Sequence, residues 1–372
     1  MDKATGTYSG TVAVLGAGNG GKAVAADLAL QGARVRLFEW QDYQANLAAL
    51  LEEPILEAEG VVSGEARLEM VSTDLAEVVD GAELVIACLQ GLAHERLALE
   101  LGPHLKEGAF LLLNPGSTGG ALEVRRLLAE QGVARRIVIA ETGTLTHCSR
   151  AQGARGVHIG LRVEHVAFAA FPGAETEAWW HRLRPVFPGL KPKADVLEVS
   201  LCNGNPVIHP AIMLGNLAVI ERQGEQHLFY AEGVTPAVAK IIEAVDKERM
   251  ALAKALGYDL MSEPEMCVAQ GYASSTSYYE CYGQSPVFRE LKSPSGVDHR
   301  YLLEDVGLGL VTYVSLGNML GVETPAARSV VAIASAITGR DLLAQGRRTV
   351  EKLGLAGMDE QQRRTFLHLG AL

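Results

Sequence analysis

The segment "TVAVLGAGNGGKAVAADLALQG" (residues 11–32) decides the fold of the first half of the chain. An apolar run of strand type is followed by Gly16-x-Gly18-x-x-Gly21 and then by a pattern typical of a helix. Glu39 closes the next strand-like run, 21 residues after Gly18. Three glycines alone would be weak evidence, but strand, glycine turn, helix and distal acid together indicate a dinucleotide-binding β-α-β unit.

Each glycine of this motif has its own physical reason. Gly16 allows a tight turn, Gly18 has no side chain to block a pyrophosphate, and Gly21 lets helix and strand pack closely. The diphosphate then meets free N–H groups at the helix N-terminus, where Asn19 lies. The alternative is a glycine-rich turn in an α/β sheet that binds nothing. We predict a cofactor site formed by Gly16, Gly18, Asn19, Gly21 and Glu39.

The acid at position 39 bears on the choice of cofactor. A carboxylate there can accept hydrogen bonds from both ribose hydroxyls and repels a 2′-phosphate, which favours NADH over NADPH. Arg34 and Arg36 are close in sequence, although Arg36 is one strand position off the register of Glu39. The expected cofactor is therefore NADH, with NADPH as the alternative.

The wider pattern predicts two domains. From residue 11 to about 140, short apolar runs alternate with amphipathic helical stretches, which indicates a mostly parallel sheet covered by helices. The segment "FPGLKPKAD" (187–195) is typical of a domain end, and the helical period dominates after about residue 200. We predict an α/β chain with a Rossmann-type domain over residues 1–199 and an all-helical domain over residues 200–372.

Composition excludes several classes of function. A chain of 372 residues with 48% hydrophobic residues can form two domains with ordinary cores. The net charge of −11 and the lack of any basic run argue against nucleic acid and anionic membranes as partners, and favour small-molecule substrates. Five dispersed cysteines without a C-x-x-C pair indicate a reducing compartment, and the ten histidines show no zinc-ligand spacing, so no metal is expected.

Nothing in the sequence indicates a leader or a membrane span. The start, "MDKATGTYSG", has no apolar core of a signal peptide. Two uncharged stretches, residues 201–220 and 306–322, are interrupted by Gly and Asn, and we interpret them as buried helices. The expected protein is soluble and cytoplasmic.

One imidazole occupies an apolar stretch of the second domain. In "NGNPVIHPAIMLGN" (203–216), His209 is surrounded by aliphatic residues, and Pro210 is expected to disturb the helix beside it. A lone histidine in such a segment is more often a hydrogen-bonded core residue than a functional one. The stretch "HRYLLEDVGLGLVTY" then brings Arg300 and Asp305 to the start of the other uncharged run.

These three residues suggest acid/base chemistry. A buried carboxylate needs a partner, and His209 is the natural one for Asp305. Such a pair fixes the tautomer of the ring and prepares it for proton transfer near neutral pH. Arg300 could bind a substrate carboxylate through two N–H groups. The alternatives are a first-turn acid on a helix dipole for Asp305 and a surface ion pair for Arg300.

A further polar turn, "LNPGSTGGALE" (113–123), follows a strand and begins a helix. Ligands of open parallel sheets bind beyond the carboxyl ends of the strands. Thr118 and Gly119 are therefore candidates for contact with a nicotinamide or a substrate carboxylate. The alternative is an ordinary N-capping turn.

Several of these segments together resemble the octopine/nopaline (opine) dehydrogenase family, and most of all the bacterial N-(1-carboxyethyl)-amino-acid dehydrogenases. The resemblance runs from about residue 10 to about residue 360 with the motifs in the same order. The segments that carry it are "GAGNGGKAVAADLAL", "LNPGSTGGALE", "NGNPVIHP", "YYECYGQSP", "HRYLLEDVGLGLV" and "GRRTVEKLGLAGM".

The resemblance implies a Rossmann domain followed by a helical domain, with the active site in the cleft between them. It implies NAD(P)H-dependent condensation of an amino acid's amine with an α-keto acid, commonly pyruvate, through an imine, and the reverse oxidation. It also implies that His209 is the catalytic acid/base, Asp305 its partner, Arg300 a carboxylate-binding residue and Asn205 a neighbour of the substrate. Residues 260–277 depart from the bacterial pattern, so the amino-acid specificity does not carry over.

Two other functions are alternatives to this one. A 2-keto-acid or 2-hydroxy-acid dehydrogenase of the same architecture would need no amine, but several such enzymes place a lysine on the equivalent helix, and residues 201–222 contain none. A non-catalytic NAD-sensing protein would not need a proton-transferring pair. The apolar helices expected at 236–256 and 325–337 could form a homodimer face or simply the core.

Overall fold

The computed structural model describes residues 8–371, and its contacts divide these residues into two compact units. The first unit comprises the chain up to Gly116, Gly120–Val199 and the residues from Arg364 onward. The second unit comprises Ser117–Gly119 and Ser200–Arg363. The segment 1–7, part of the start that argued against a leader, lies outside the described residues.

The first unit is built on a large sheet and a small one. Within the described residues the large sheet has the order β12-β11-β8-β7-β6-β1-β2-β5, and all its pairs are parallel except β8 with β11. The small sheet has the order β4-β3-β10-β9. The strands are β1 (Thr11–Leu15), β2 (Arg34–Phe38), β3 (Ile55–Gly60), β4 (Gly64–Arg67), β5 (Met70–Ser72), β6 (Leu84–Ala87), β7 (Phe110–Leu113), β8 (Val138–Thr142), β9 (His147–Gln152), β10 (Gly156–Arg162), β11 (Val166–Phe171) and β12 (Leu190–Pro192).

Helices connect most consecutive strands of the large sheet, as the alternating pattern predicted. The central strand β1 is buried along its whole length, which explains its continuous apolar sequence. The small sheet packs on the helix that follows β1. The helices of this part of the chain are α1 (Asn19–Leu30), α2 (Ala48–Glu52), α3 (Leu75–Val79), α4 (His94–Leu101), α5 (Gly120–Glu130) and α6 (Thr176–Leu183).

The second unit is helical, with one isolated β-bridge between Leu228 and Lys292 among the described residues. A π-helix (Asp305–Leu310) leads directly into an α-helix. The helices from residue 196 onward are α7 (Val196–Leu201), α8 (Asn205–Gly215), α9 (Leu217–Gln223), α10 (Pro236–Ala255), α11 (Glu263–Ala269), α12 (Tyr278–Gly283), α13 (Arg300–Leu303), α14 (Val311–Leu320), α15 (Pro325–Thr338) and α16 (Glu360–Leu369).

The start signals of the two long helices work differently. The hydroxyl of Thr235 accepts a hydrogen bond from the N–H of Val238 and caps α10, as expected from the sequence. Thr324 precedes α15 in the same way, but its hydroxyl is buried and has no partner in the described part of the chain. Helices α10 and α15 pack against each other. The buried apolar residues of these two helices form core, and the homodimer face stays a prediction.

Most of the two uncharged stretches of the sequence is buried helix. Pro206–Met213 of α8 are buried, and so are the π-helix and the first seven residues of α14. Between residues 8 and 371, no helix is both long and apolar enough to cross a membrane.

The division of the chain differs from the expected one at two places. The expected helical domain ran to residue 372, but the residues from Arg364 onward cluster with the first unit. The reason is apolar packing, because the ring of Phe366 lies 5.3 Å from that of Phe171. Ser117–Gly119 cluster instead with the second unit.

Candidate active site

The glycine turn lies at the carboxyl end of β1, in the first unit. Gly16 has a φ of +98°, and its N–H donates to the carbonyl of Phe38 at 2.9 Å. A Cβ on Gly21 would lie 1.7 Å from the carbonyl oxygen of Gly16, so only glycine allows this approach of helix and strand. Around Gly18, by contrast, a Cβ would meet nothing within 4 Å. The turn therefore leaves open space before the N-terminus of α1, which fits a diphosphate.

Glu39 is buried against this turn. One carboxylate oxygen accepts hydrogen bonds from the N–H of Ala17 at 3.0 Å and from the side-chain amide of Asn46 at 3.2 Å. The other oxygen accepts from the N–H of Trp40 at 2.9 Å. The acid thus joins the end of β2 to the glycine turn, which places its carboxylate beside the expected cofactor site. Arg36 points elsewhere and pairs with Glu69 at 2.7 Å.

The side chain of Asn19 is bonded within the protein. Its Oδ1 accepts a hydrogen bond from the N–H of Ala151 at 2.8 Å, and its carbonyl accepts one from the hydroxyl of Ser149 at 2.9 Å. These bonds anchor α1 to β9. A contact of Asn19 with a diphosphate is therefore left to its backbone N–H.

In the second unit, His209 and Asp305 form a buried pair. The Nδ1 of His209 lies 2.7 Å from an Oδ of Asp305, and the two residues are 5% and 2% exposed. The contact inferred from the sequence is present. His209 lies in the middle of α8, and Asp305 is the first residue of the π-helix.

A glycine explains why these two elements come so close. A Cβ on Gly309 would lie 2.3 Å from Cγ of Pro206, so a larger residue there would push the π-helix away from α8. Within the wide turn of the π-helix, the N–H groups of Leu308 and Gly309 both donate to the carbonyl of Glu304, at 2.8 and 3.3 Å. Helices of this kind occur often at functional sites. This geometry brings Asp305 within hydrogen-bond distance of His209.

The other ring nitrogen of His209 has a partner that the sequence did not reveal. Its Nε2 lies 2.9 Å from the hydroxyl of Tyr230, which follows α9 in the chain. The ring of Tyr301 stacks on the imidazole at 3.9 Å between centroids. No motif or spacing points to Tyr230. The one available signal was general: a buried imidazole needs partners for both nitrogens.

Arg300 stands beside this pair as a cation. Burial lowers the pKa of its guanidinium, but the carboxylates of Glu304 and Asp305 raise the pKa further, so the net shift is upward and the group stays charged. Its Nη2 donates to Glu304 at 2.7 Å, while its buried Nε has no partner among the described residues. Because Glu304 is only 1% exposed, this is not a surface ion pair. The free Nε suits a substrate carboxylate.

Asn205 begins α8, one helical turn before His209. Its N–H donates to the side-chain oxygen of Asn203 at 3.1 Å, and the residue is half-buried. The helical spacing of four residues places Asn205 and His209 on the same face of α8.

Thr118 and Gly119 are held inside the second unit. Ser117, Thr118 and Gly119 have φ values of 53°, 61° and 82°, a strained run for two residues with side chains. The Thr118 hydroxyl donates to the Ser200 carbonyl and accepts from the side-chain amide of Asn203, at 3.3 and 3.0 Å. The hydroxyl that was expected to contact a ligand is thus already bonded within the protein, and the turn does not form an ordinary N-cap.

Arg348 and Ser200 also form hydrogen bonds with this turn. The guanidinium of Arg348 donates to the carbonyls of Ser117 and Thr118, and the N–H of Gly119 donates to the Ser200 hydroxyl at 2.8 Å. The buried hydroxyl of Ser117 has no partner among residues 8–371. Ser117 is therefore the side chain of this turn that is available to a ligand.

A Rossmann unit with a complete dinucleotide turn, and a helical unit with a His–Asp pair beside an arginine, define a nicotinamide-dependent oxidoreductase. The family model of the alpha-helical domain of NAD/NADP octopine/nopaline dehydrogenase matches residues 192–338. An opine dehydrogenase of Arthrobacter sp. (strain 1C) is 34% identical over 351 residues, which cover 94% of this chain and 96% of that protein. The chain belongs to the octopine/nopaline (opine) dehydrogenase family.

Other relatives agree with this assignment. Protein ocs of Agrobacterium vitis is 28% identical over 93% of this chain and 96% of its own length. A solved octopine dehydrogenase with NADH and L-arginine superimposes with a TM-score of 0.76 at 20% identity, covering 96% of this chain and 98% of that one. The family, the fold class and the enzyme class expected from the sequence are confirmed: the chain is an NAD(P)-dependent oxidoreductase of the opine dehydrogenase type.

Proposed function

We propose that the chain joins the amine of an amino acid to an α-keto acid, with pyruvate as the first choice, and reduces the resulting imine with NADH. The product is an N-(carboxyalkyl)amino acid, and the reaction also runs in reverse. The observation that carries this proposal is the buried His209–Asp305 hydrogen bond of 2.7 Å beside a charged Arg300 with a free Nε.

His209 is the proposed acid/base of the reaction. It takes a proton from the amine as the carbon–nitrogen bond forms, and it returns a proton to the hydroxyl that leaves as water. Asp305 accepts the Nδ1–H, fixes the tautomer and stabilises the imidazolium between the two steps. When bound, the nicotinamide supplies the hydride that reduces the imine carbon.

The groups that position the substrate are Arg300, Asn205 and the turn around Ser117. The Nε of Arg300 and the N–H groups next to it bind the carboxylate of the keto acid. Asn205, on the face of α8 that carries His209, orients the reacting carbonyl. When two reactants must meet, holding them in the reactive geometry lowers the activation free energy by a large part.

The proposed cofactor is NADH, held by Gly16, Gly18, Gly21, the N–H of Asn19 and the carboxylate of Glu39. The open space at Gly18 receives the diphosphate. The carboxylate of Glu39 accepts hydrogen bonds from the ribose hydroxyls and repels a 2′-phosphate. The guanidinium of Arg36, which could otherwise bind such a phosphate, is paired with Glu69. NADPH is the alternative that the assay below must include.

The proposed setting is the cytoplasm, since all five cysteines are free thiols. A homodimer is the proposed assembly to test by light scattering. Ile241 of α10 and Ile333 of α15 are 39% and 50% exposed and are the apolar side chains that such an interface would use.

A matrix of keto acids and amino acids, followed by NADH absorbance, tests the proposed reaction. We expect consumption of NADH only when a keto acid and an amino acid are both present. Consumption with pyruvate alone would identify a keto-acid dehydrogenase instead. NADH binding without consumption in any combination would indicate a nucleotide-sensing protein. A repeat of the matrix with NADPH measures the cofactor preference.

A further inference from the structure

Both ring nitrogens of His209 form hydrogen bonds within the protein. Nδ1 is bonded to Asp305 at 2.7 Å, and Nε2 to the hydroxyl of Tyr230 at 2.9 Å. Tyr301 stacks over the ring at 3.9 Å between centroids, and Phe229 lies at 5.9 Å. The edge of the imidazole that should receive a proton from the substrate is therefore covered by Tyr230.

The partners assign the direction of both hydrogen bonds. A carboxylate only accepts, so Nδ1 carries the hydrogen that Asp305 receives, and Nε2 of the neutral ring has a free lone pair. Burial is the largest cause that raises the pKa of Tyr230 well above its ordinary value, and the acidic groups nearby, Asp305 among them, raise it further. The phenol stays protonated, and its O–H donates to Nε2.

We propose that Tyr230 is a further catalytic residue, which contacts the substrate amine and passes its proton to His209. In this step the amine N–H bond breaks and its proton binds the phenol oxygen, while the phenol's own proton moves to Nε2. The nitrogen electron pair forms the bond to the keto-acid carbon, and the π pair of the C=O bond moves onto the carbonyl oxygen. That oxygen takes up the proton that His209 has gained and becomes the hydroxyl that later leaves as water, and Tyr230 is neutral before and after. The inference rests on the proposed function, because it adds one member to its acid/base unit.

The structure holds the phenol rigidly, as a proton relay requires. The ring of Tyr230 stacks on Phe288 at 4.7 Å with 20° between planes and meets Phe229 edge-on at 5.0 Å. The N–H of Val234 donates to the Tyr230 carbonyl at 3.0 Å. The hydroxyl therefore has little freedom to leave Nε2.

The other titratable groups near the relay have distinguishable effects. Burial, Arg300 and His209 lower the pKa of His299 to about 4, so His299 is neutral at working pH. Burial and Asp246 raise the pKa of Glu263 to about 8, so Glu263 becomes mostly charged only above that pH and affects only the alkaline limb of a pH profile. The groups that face His209 or Tyr230 are Asp305, Tyr301, His299, Glu263 and Cys267.

Tyr230→Phe tests the relay, with Tyr282→Phe as the matched control. Tyr282 is fully buried in the same aromatic cluster, 6.4 Å from Tyr230 between ring centroids, and its hydroxyl has no partner in the described part of the chain. Removing an unpaired hydroxyl should be nearly neutral. We expect Tyr230→Phe to lower kcat by about 100-fold, in the range of one acid/base group, and Tyr282→Phe to change it less than about twofold.

A pH profile tests the hydrogen bond from the Tyr230 hydroxyl to Nε2 on which the relay depends. Loss of a donor to Nε2 makes protonation of the imidazole easier, so the acidic limb of kcat/KM should move to higher pH in Tyr230→Phe, while the KM for NADH stays unchanged. If Tyr230→Phe does not fold, 3,5-difluorotyrosine at position 230 keeps the ring and makes the phenol more acidic, which should shift the same profile.

Three results would overturn the inference: kcat of Tyr230→Phe within about twofold of wild type, an unmoved acidic limb, or a loss confined to KM. These failures differ from failure of the proposed function. A wild-type enzyme that consumes no NADH with any keto acid and amine contradicts the function itself. A wild-type enzyme that works, loses activity in His209→Ala and keeps it in Tyr230→Phe contradicts only the relay.

Discussion

Replacing Glu263 by Gln should stabilise the helical unit near neutral pH and leave it unchanged in acid. Glu263 is the first residue of α11 and is 4% exposed. One carboxyl oxygen has no partner among the described residues, and the other is so close to Gly204 that a Cβ there would lie 2.3 Å away. Burial, with repulsion by Asp246 and against attraction by Arg249, raises the pKa of Glu263 to about 8.

The sign of the effect follows from where each state binds the proton. The unfolded chain releases it near pH 4.5 and the folded chain near pH 8, so the folded state binds more protons in between. Stability is therefore lost as pH rises through that window. With about 1.4 kcal/mol for each pKa unit, the loss for Glu263 at pH 7 is roughly 3 kcal/mol. Gln has the shape of the protonated acid and never ionises, so it should remove this loss.

Urea unfolding at pH 4.5 and pH 7, followed by circular dichroism at 222 nm, measures the difference. Circular dichroism is needed because the three tryptophans, Trp40, Trp179 and Trp180, all lie in the first unit and would not report on the helical one. We expect Glu263→Gln to gain roughly 3 kcal/mol at pH 7 and nearly nothing at pH 4.5. Glu290→Gln, at a side chain that is 84% exposed, is the control. An equal effect of Glu263→Gln at both pH values would refute the reasoning.

Three further predictions concern the proposed reaction. His209→Ala should lose at least about 100-fold in kcat while NADH still binds, since it removes the acid/base and not the nucleotide site; near-normal turnover would contradict its role. Arg300→Lys keeps the charge but loses the planar pair of donors, so the KM for the keto acid should rise about tenfold with an unchanged KM for NADH, and an unaltered keto-acid KM would argue against this contact. Glu39→Gln removes repulsion of a 2′-phosphate, so the preference for NADH over NADPH, as a ratio of kcat/KM values, should fall about tenfold; an unchanged ratio would exclude Glu39 as its source.

The features that the sequence predicted well are those with a local cause. The glycine turn of β1 and α1 has fixed spacing, and its steric demands are met within six residues. The start of α10 follows from Thr235 and Pro236, whose effects act within one helical turn. The pairing of His209 with Asp305 is the exception, because the two residues are far apart along the chain; it was predicted from the partner that a buried carboxylate needs.

The features that it missed depend on distant contacts. Strand β3 carries two glutamates, and it is a strand because it pairs with β10, about 100 residues further along the chain. The partner of Tyr230 is set by tertiary packing, without any periodicity along the chain. Asn19 has the expected position, but its side chain bonds to β9, a strand that the pattern did not reveal.

The return of the last residues to the first unit has a topological consequence. The chain leaves the first unit after Val199 and re-enters it at Arg364, so Ser200–Arg363 of the helical unit are an insertion in the sequence of the first unit. A fragment cut at residue 199 would expose the apolar ring of Phe171, which Phe366 otherwise covers. To isolate the first unit, one should join residues 364–371 to residue 199 with a flexible linker. The carboxyl-terminal residues should not be removed from it.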